Sequence, residues 1–103
     1  MLLAVDIGNT NITLGAFEDA NLEFTARLAT DTRKTADQYA VEIKNLLSLY
    51  SLQTEEIEDC IIASVVPAVG KSISRAVSTP QASMARKASW GLLQLVRSVL
   101  VHT

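Results

Sequence analysis

The 103-residue sequence contains few of the residues on which several common kinds of site depend. Its single cysteine, Cys60, cannot form an internal disulfide bond, and because it adjoins an apolar run we expect a packed rather than a reactive thiol. Its single histidine, His102, stands at the far end of the chain, so a serine–histidine nucleophile is not expected. Disulfide scaffolds and serine hydrolases are therefore poor candidates.

Long apolar runs and a strong net charge are also missing. No run of 18 apolar residues occurs, so we expect no membrane span. Asp6 interrupts the apolar start and no basic segment precedes it, so we expect no signal peptide and a cytoplasmic location. The net charge of −2 gives no overall footprint for nucleic acid. With 49% hydrophobic and 19% charged residues, the composition is that of one small folded domain.

Charge is distributed unevenly along the chain. Residues 1–70 carry 4 basic and 11 acidic side chains, whereas residues 71–103 carry 5 basic and no acidic ones. Such asymmetry is typical either of a basic arm for an acidic partner or of a tail that is unrelated to the domain before it.

Apolar periodicity predicts a three-stranded antiparallel meander at the start of the chain. Strand one, Leu2–Asp6, is apolar on both faces and is expected to be central. Strand two runs from Ile12 to about Phe17, and a turn at Glu18–Asn21 leads to strand three. Strand three alternates, with one face formed by Leu22, Phe24, Ala26 and Leu28.

A helix, a parallel strand and a second helix are predicted to follow. Thr35 to Gln38 fits a capping box, and apolar residues then recur at helical spacing as far as Tyr50. Ile61–Val66 is a continuous β-branched run, which predicts a strand buried on both faces and parallel to strand one. Ala68–Val77 predicts a short helix. The expected fold class is therefore α/β.

The turn after strand one is the main candidate site. Gly8–Asn11 predicts a tight hairpin, because Gly and Asn tolerate positive φ. Backbone N–H groups in such a turn can hold phosphate oxygens, and the side chains of Asn9, Thr10 and Asn11 add donors. Asp6, at the strand end, can hold a hydrated Mg²⁺ ion. Turn chemistry alone equally allows an ordinary exposed hairpin with a capping aspartate.

Two other polar groups are candidate site residues. Arg33 and Lys34 could lie near phosphates, but an exposed basic pair is more often simply solvated. Ser64 lies at the C-terminal end of a predicted strand, where α/β sheets place ligands. The acidic connection Thr54–Asp59 is a poor phosphate site, because like charges repel.

Three sequence blocks, in order and suitably spaced, resemble the N-terminal part of the type III pantothenate kinases, a family that includes the Bvg accessory factor proteins. The blocks are Asp6–Asn11, then Leu28–Asp31 with Arg33–Tyr39, and then Ile61–Pro67. The resemblance covers Met1 to about Val77. A lone Asp-x-Gly-x-Thr motif would indicate only the wider superfamily of actin-like, sugar-kinase and Hsp70-type ATPases.

The resemblance implies a fold and an activity. Residues 1–77 would form the N-terminal half-domain of the actin-like, sugar-kinase and Hsp70 ATPase (ribonuclease H-like) fold. The implied reaction transfers the γ-phosphoryl group of ATP to pantothenate in coenzyme A biosynthesis, with Mg²⁺ and a monovalent cation (K⁺ or NH₄⁺), in a homodimer without nucleic-acid or membrane partners. The residues implied to bind ATP phosphates are Asp6, Ile7, Gly8, Asn9, Thr10, Asn11, Ile12 and Thr13, with Asp6 also holding Mg²⁺ through water.

After Val77 the sequence departs from the family pattern. The family's catalytic base and pantothenate contacts lie in a later Gly-Ala-Asp-Arg block, which does not occur here, so we expect no catalytic residue in this chain and no activity from it alone. Residues 78–103 form a divergent basic tail with helical periodicity. Three interpretations compete: a helix that covers the sheet, an amphipathic helix at a membrane surface, or an out-of-frame peptide with chance periodicity, which the abrupt divergence favours.

Two other functions fit the same residues. The chain could be a non-catalytic nucleotide-binding or transcription-regulatory module of the Bvg accessory factor type, with the basic tail contacting a partner. It could also belong to another actin-like kinase or phosphatase, although the second and third blocks favour the pantothenate kinases.

Overall fold

A four-stranded sheet with two helices on one face forms the part of the chain that the computed structural model describes, residues 1–78. The elements in chain order are β1 (Leu2–Ile7), β2 (Asn11–Glu18), β3 (Asn21–Ala29), α1 (Ala36–Leu49), a 3₁₀ turn (Thr54–Glu56), β4 (Asp59–Ser64) and α2 (Pro67–Val77). The predicted α/β class and order of elements are confirmed. The tail predicted over residues 78–103 lies, apart from Ser78, outside the described residues.

Strand β1 is central, as predicted, and the strand order is β3-β2-β1-β4. It pairs antiparallel with β2 and parallel with β4. Within residues 1–78, β4 is therefore an edge strand. Neither helix of this part of the chain is long and apolar enough to cross a membrane.

The main core lies on the face of the sheet that the helices cover, here called the first face. Helix α1 contributes Tyr39, Ile43 and Leu47, which recur every fourth residue and so lie on one side of the helix. Helix α2 contributes Val69 and Ile73 in the same way. The strand residues that complete this core include Leu3, Val5, Ile7, Ile12, Leu14 and Cys60.

A smaller apolar cluster lies on the opposite face of the sheet, here called the second face. It consists of Ala4, Phe17 and Ile61, with Leu2 and Leu22 packed against it. Each strand therefore contributes residues to both faces at alternating positions, as the pleat of a strand requires.

Strand β3 departs from the predicted alternation. Phe24 and Leu28 pack against the first-face core, whereas Leu22 packs against the second cluster. The cause is a change of register, since Ala16 pairs with Phe24 but Phe17 pairs with Leu22, which leaves Glu23 as an extra residue. A one-residue bulge turns the following side chains to the other face, so the prediction of one continuous apolar face was wrong at Leu22.

The fourth strand also differs from its prediction. It runs from Asp59 to Ser64 rather than from Ile61 to Val66, and Val65 is exposed. The Ser64 hydroxyl accepts a hydrogen bond from the Val66 N–H at 3.0 Å and donates to the Val66 carbonyl at 2.8 Å, which curls the chain toward α2. Burial on both faces holds for Cys60 and Ile61 only, since Ile62 and Ala63 are half-buried.

The start of α1 confirms the predicted capping box. The Thr35 hydroxyl accepts a hydrogen bond from the Gln38 N–H at 3.2 Å, and the Gln38 side-chain oxygen accepts one from the Thr35 N–H at 2.7 Å. These bonds satisfy N–H groups that the first turn of a helix leaves without partners. They fix where the loop after β3 ends.

Candidate functional site

The turn that joins β1 to β2 is closed by backbone contacts. Ile7 pairs with Ile12, and the Gly8 N–H donates to the Asn11 carbonyl at 2.9 Å. No residue of the turn has positive φ, so that part of the sequence prediction was wrong. Glycine at position 8 instead avoids a tight contact, because a Cβ atom there would lie 3.2 Å from the Asn11 carbonyl oxygen.

A threonine from the end of β3 braces this turn. The Thr30 hydroxyl donates to the Gly8 carbonyl at 2.8 Å, and the Thr30 N–H donates to the Thr10 carbonyl at 2.9 Å. Sequence reasoning assigned Thr30 no role. The available signal was its place in the second sequence block, but nothing local to that block indicated a partner 22 residues earlier.

The bracing bonds from Thr30 use the carbonyl groups of Gly8 and Thr10 and leave the N–H groups of the turn out of the bracing. Asn9, Thr10 and Asn11 are exposed. Among the hydrogen bonds within residues 1–78, none uses the N–H of Asn9 or Thr10. Successive N–H groups of this kind, together with a hydroxyl and two side-chain amides, are suited to hold the oxygens of an anion such as a phosphate.

Asp6 and Thr13 lie beside the turn on the second face of the sheet. They are directly opposite each other in the β1–β2 register, and both are half-buried. Residues opposite each other on antiparallel strands have Cβ atoms about 5 Å apart, so one ligand can reach both side chains. By contrast, Ile7 and Ile12 are buried in the first-face core and can offer a ligand only backbone groups.

The connection from β4 to α2 lies at the same end of the sheet as the turn, next to the C-terminal end of β1. The Val65 N–H donates to the Ile7 carbonyl at 3.0 Å, which joins this connection to the end of β1. Helix α2 begins at Pro67, so its N-terminus, with its partial positive charge, is at this edge. The Ser64 hydroxyl is bonded to the Val66 backbone and acts as a turn residue.

The loop between β3 and α1 is anchored by a buried tyrosine. The Tyr39 hydroxyl accepts a hydrogen bond from the Asp31 N–H at 3.0 Å and donates to the Asp31 carbonyl at 2.7 Å. Asp31 directly follows Thr30, so this anchor also limits the movement of the threonine that braces the turn.

The basic pair in this loop is engaged within the loop and helix. The Arg33 side chain is 89% exposed and pairs with Asp31, and this hydrogen bond lowers the pKa of the Asp31 carboxyl and raises that of the guanidinium. The Lys34 ammonium lies 2.7 Å from a carboxylate oxygen of Glu42, and this bond raises the pKa of Lys34. Both cationic side chains are therefore paired with carboxylates in this structure, which agrees with the simpler interpretation of the pair as a solvated surface feature.

Cys60 is a packed thiol, as expected. It lies in the first-face core, and burial raises its pKa to about 12. A thiol with this pKa carries almost no thiolate at neutral pH and is not a nucleophile.

Comparison with known proteins decides the family. The family model described as type III pantothenate kinase matches residues 2–92, which is most of the chain. The chain belongs to the type III pantothenate kinase family. The match extends past Val77, where the resemblance read from the sequence ends.

Two individual proteins show the extent of the similarity. A type III pantothenate kinase from Finegoldia magna is 43% identical over 77 residues, which cover 75% of this chain and 29% of that protein. The chain therefore spans less than a third of the length of this relative. A solved structure from Porphyromonas gingivalis, assigned as an N-acetylglucosamine kinase, matches with a TM-score of 0.61 at 14% identity, over 85% of this chain and 34% of that one. This likeness supports the sugar-kinase type of fold.

Proposed function

We propose that this chain forms the N-terminal phosphate-binding part of an enzyme that transfers the γ-phosphoryl group of ATP to pantothenate. The observation that carries the proposal is the braced turn at Gly8–Asn11. The Gly8 and Thr10 carbonyl groups are bonded to Thr30, the residues Asn9–Asn11 are exposed, and Asp6 lies beside the turn on β1. Because the chain belongs to a family of kinases, we take the anion at this turn to be the phosphate chain of ATP.

Residues in the turn and beside it have separate roles in this proposal. The N–H groups of Asn9 and Thr10 and the Thr10 hydroxyl donate to phosphate oxygens. Thr13 would contact phosphate oxygens, and Asp6 would hold a Mg²⁺ ion through its water shell, which suits an ion that keeps most of its waters. The Mg²⁺ ion, when bound, neutralises charge on the phosphates.

The proposed contribution of this chain is binding and orientation. The Gly-Ala-Asp-Arg block that carries the family's base does not occur in these 103 residues, so the purified polypeptide is expected to bind nucleotide without phosphorylating pantothenate. The dimer, the monovalent cation and the cytoplasmic location implied by the family stay part of the proposal.

A chimeric kinase tests the proposed function. Residues 2–77 of this chain would replace the matching segment of the Finegoldia magna relative, and pantothenate-dependent consumption of ATP would be measured. We expect activity in the chimera, and a loss of about 10- to 100-fold when Asp6→Asn removes the charge that orients the hydrated Mg²⁺.

Asp19→Asn is the matched control for Asp6→Asn. Asp19 is an exposed turn residue with φ of 55°, a conformation that asparagine adopts readily. It is expected to leave the activity unchanged. A folded chimera without activity, or an equal effect of the two substitutions, would refute the proposal.

A further inference from the structure

Arg27 lies in the same row of the sheet as Asp6 and Thr13. Thr13 is opposite Asp6 in the β1–β2 register and opposite Arg27 in the β2–β3 register. Residues opposite each other on paired strands point to the same face of a sheet, so the three side chains share the second face. The bulge at Glu23 comes earlier in β3 and leaves the register at Arg27 unchanged.

This row places Arg27 within reach of the proposed phosphate site. The Cβ atoms of opposite residues are about 5 Å apart, and diagonal neighbours are about 7–8 Å apart, a distance that long side chains span. Thr13 is opposite Arg27, and Asn11, the last residue of the turn, is diagonal to it on the same face. A group bound at Asn11 and Thr13 is therefore accessible to the Arg27 guanidinium.

Arg27 differs from the other basic residues of this part of the chain. Its side chain is exposed, and within residues 1–78 no hydrogen bond or ion pair engages its guanidinium. Arg33 and Lys34, by contrast, are paired with carboxylates. The remaining basic residues of this range lie on the two helices that cover the first face, and they are Lys44, Lys71 and Arg75. Over residues 1–78, Arg27 is thus the one cationic side chain on the second face.

We propose that Arg27 binds phosphate oxygens of the nucleotide at the turn, from the side of Thr13 that is opposite to Asp6. The inference rests on the proposed function and adds to it a residue outside the turn. A guanidinium donates two parallel N–H groups to the oxygens of one phosphate. Such charge-assisted hydrogen bonds are stronger than those between neutral groups.

The order of residues along the row keeps two positive charges apart. Asp6 stands at one end and favours the hydrated Mg²⁺ ion, whereas Arg27 stands at the other end, with Thr13 between them. The ion and the guanidinium therefore contact different oxygens of the phosphate chain, which limits their mutual repulsion. As a consequence, the contribution of Asp6 to nucleotide binding depends on Mg²⁺, and that of Arg27 does not.

Titration of the 103-residue chain with Mg²⁺·ATP, followed through backbone amide signals, tests the inference. Arg27→Gln is expected to weaken ATP binding about 10-fold, because it removes hydrogen bonds to a charged group. Arg27→Lys keeps the charge but loses the paired N–H groups, so it is expected to weaken binding less. The matched control is Arg75→Gln, since Arg75 is an exposed arginine in the last turn of α2, away from the second face. It is expected to leave binding unchanged.

The same titration with EDTA in place of Mg²⁺ separates the two ends of the row. Arg27→Gln is expected to weaken binding about 10-fold here as well, whereas Asp6→Asn is expected to weaken it only when Mg²⁺ is present. The urea midpoint of Arg27→Gln is expected to equal that of the unaltered chain, because the side chain is exposed. A merely structural role of Arg27 would lower that midpoint instead.

The outcomes distinguish this inference from the proposed function. If Asp6→Asn weakens binding of Mg²⁺·ATP but Arg27→Gln binds as tightly as the unaltered chain, or more tightly, only the inference about Arg27 is overturned. It is also overturned if Arg27→Gln and Arg75→Gln weaken binding equally, or if the effect of Arg27→Gln disappears in EDTA. If the unaltered chain shows no saturable binding at the turn, the inference and the proposed function are both overturned.

Discussion

Replacing Tyr39 with phenylalanine tests how firmly the loop beside the turn is tied to α1. The Tyr39 side chain is fully buried, and its hydroxyl makes two hydrogen bonds to the backbone of Asp31, at 2.7 and 3.0 Å. Phenylalanine keeps the ring and its packing in the first-face core. It removes only the two hydrogen bonds, so the change isolates their contribution.

The structure sets the expected magnitude. Each hydrogen bond of this kind contributes about 0.5–1.5 kcal/mol to the free energy of unfolding, so the loss should be about 2 kcal/mol in total. For a domain of this size, that loss corresponds to a fall of roughly 8–16 °C in Tm.

Urea unfolding followed by circular dichroism measures the effect, and Tyr50→Phe is its matched control. Tyr50 is a partly exposed tyrosine whose ring stacks on Phe24 with the centroids 4.3 Å apart, a contact that phenylalanine keeps. Among the hydrogen bonds within residues 1–78, none involves the Tyr50 hydroxyl. We expect Tyr50→Phe to match the unaltered chain. If Tyr39→Phe also matches it, the loop is not anchored as the structure indicates.

Three further changes test other parts of the structure. Thr30→Val should lower the free energy of unfolding by about 1 kcal/mol, because the Gly8 carbonyl loses the Thr30 hydroxyl as its partner. Thr32 is exposed, so Thr32→Val is a control that should leave the free energy of unfolding unchanged. Equal urea midpoints for the two variants would refute the bracing role of Thr30. Gly70→Ala should lower stability by about 1 kcal/mol in the same assay, because the new Cβ would lie 3.0 Å from the Ser64 Cβ, and a gain from helix propensity alone would refute this. Cys60, with its pKa raised to about 12, stays protonated when folded but ionises when unfolded, so stability should fall as pH rises from about 9 toward 12. Cys60→Ala should make that slope shallower, and the part that stays includes Lys34, whose pKa its bond to Glu42 raises; an unchanged slope would exclude the thiol as a contributor.

Local signals in the sequence predicted most elements of the fold. The capping box at Thr35 and Gln38 involves residues three apart, and the helical stripe through Tyr39 and Ile43 depends only on chain geometry. The meander followed from short turns between apolar runs. Such features were confirmed because neighbours in sequence determine them.

Features that depend on distant partners were missed or misplaced. The bulge at Glu23 follows from pairing with β2, and it reverses the side on which Leu22 packs. The end of β4 follows from the Ser64 hydroxyl bonds and from pairing with β1, so an apolar run that continues through Val66 overstates the strand. Thr30 braces a turn 22 residues away, and no periodicity marks such a contact.

The turn itself was located by its residues but for a partly mistaken reason. Gly8 avoids a tight contact with the Asn11 carbonyl oxygen, and the turn uses no positive φ. The residues expected to contact phosphate are nevertheless at one edge of the sheet, where Asp6, Thr13 and the exposed residues of the turn meet.

Titration of the 103-residue chain with Mg²⁺·ATP, followed through assigned backbone amide signals, tests the central claim most directly. We predict that the largest chemical-shift changes occur at Gly8–Asn11 and at Thr13, and that Asp6→Asn weakens them while Asp19→Asn does not. Two results would contradict the assignment of this turn as the phosphate-binding site. One is that the largest saturable changes occur elsewhere in the chain, and the other is that Gly8–Asn11 show no change at millimolar nucleotide.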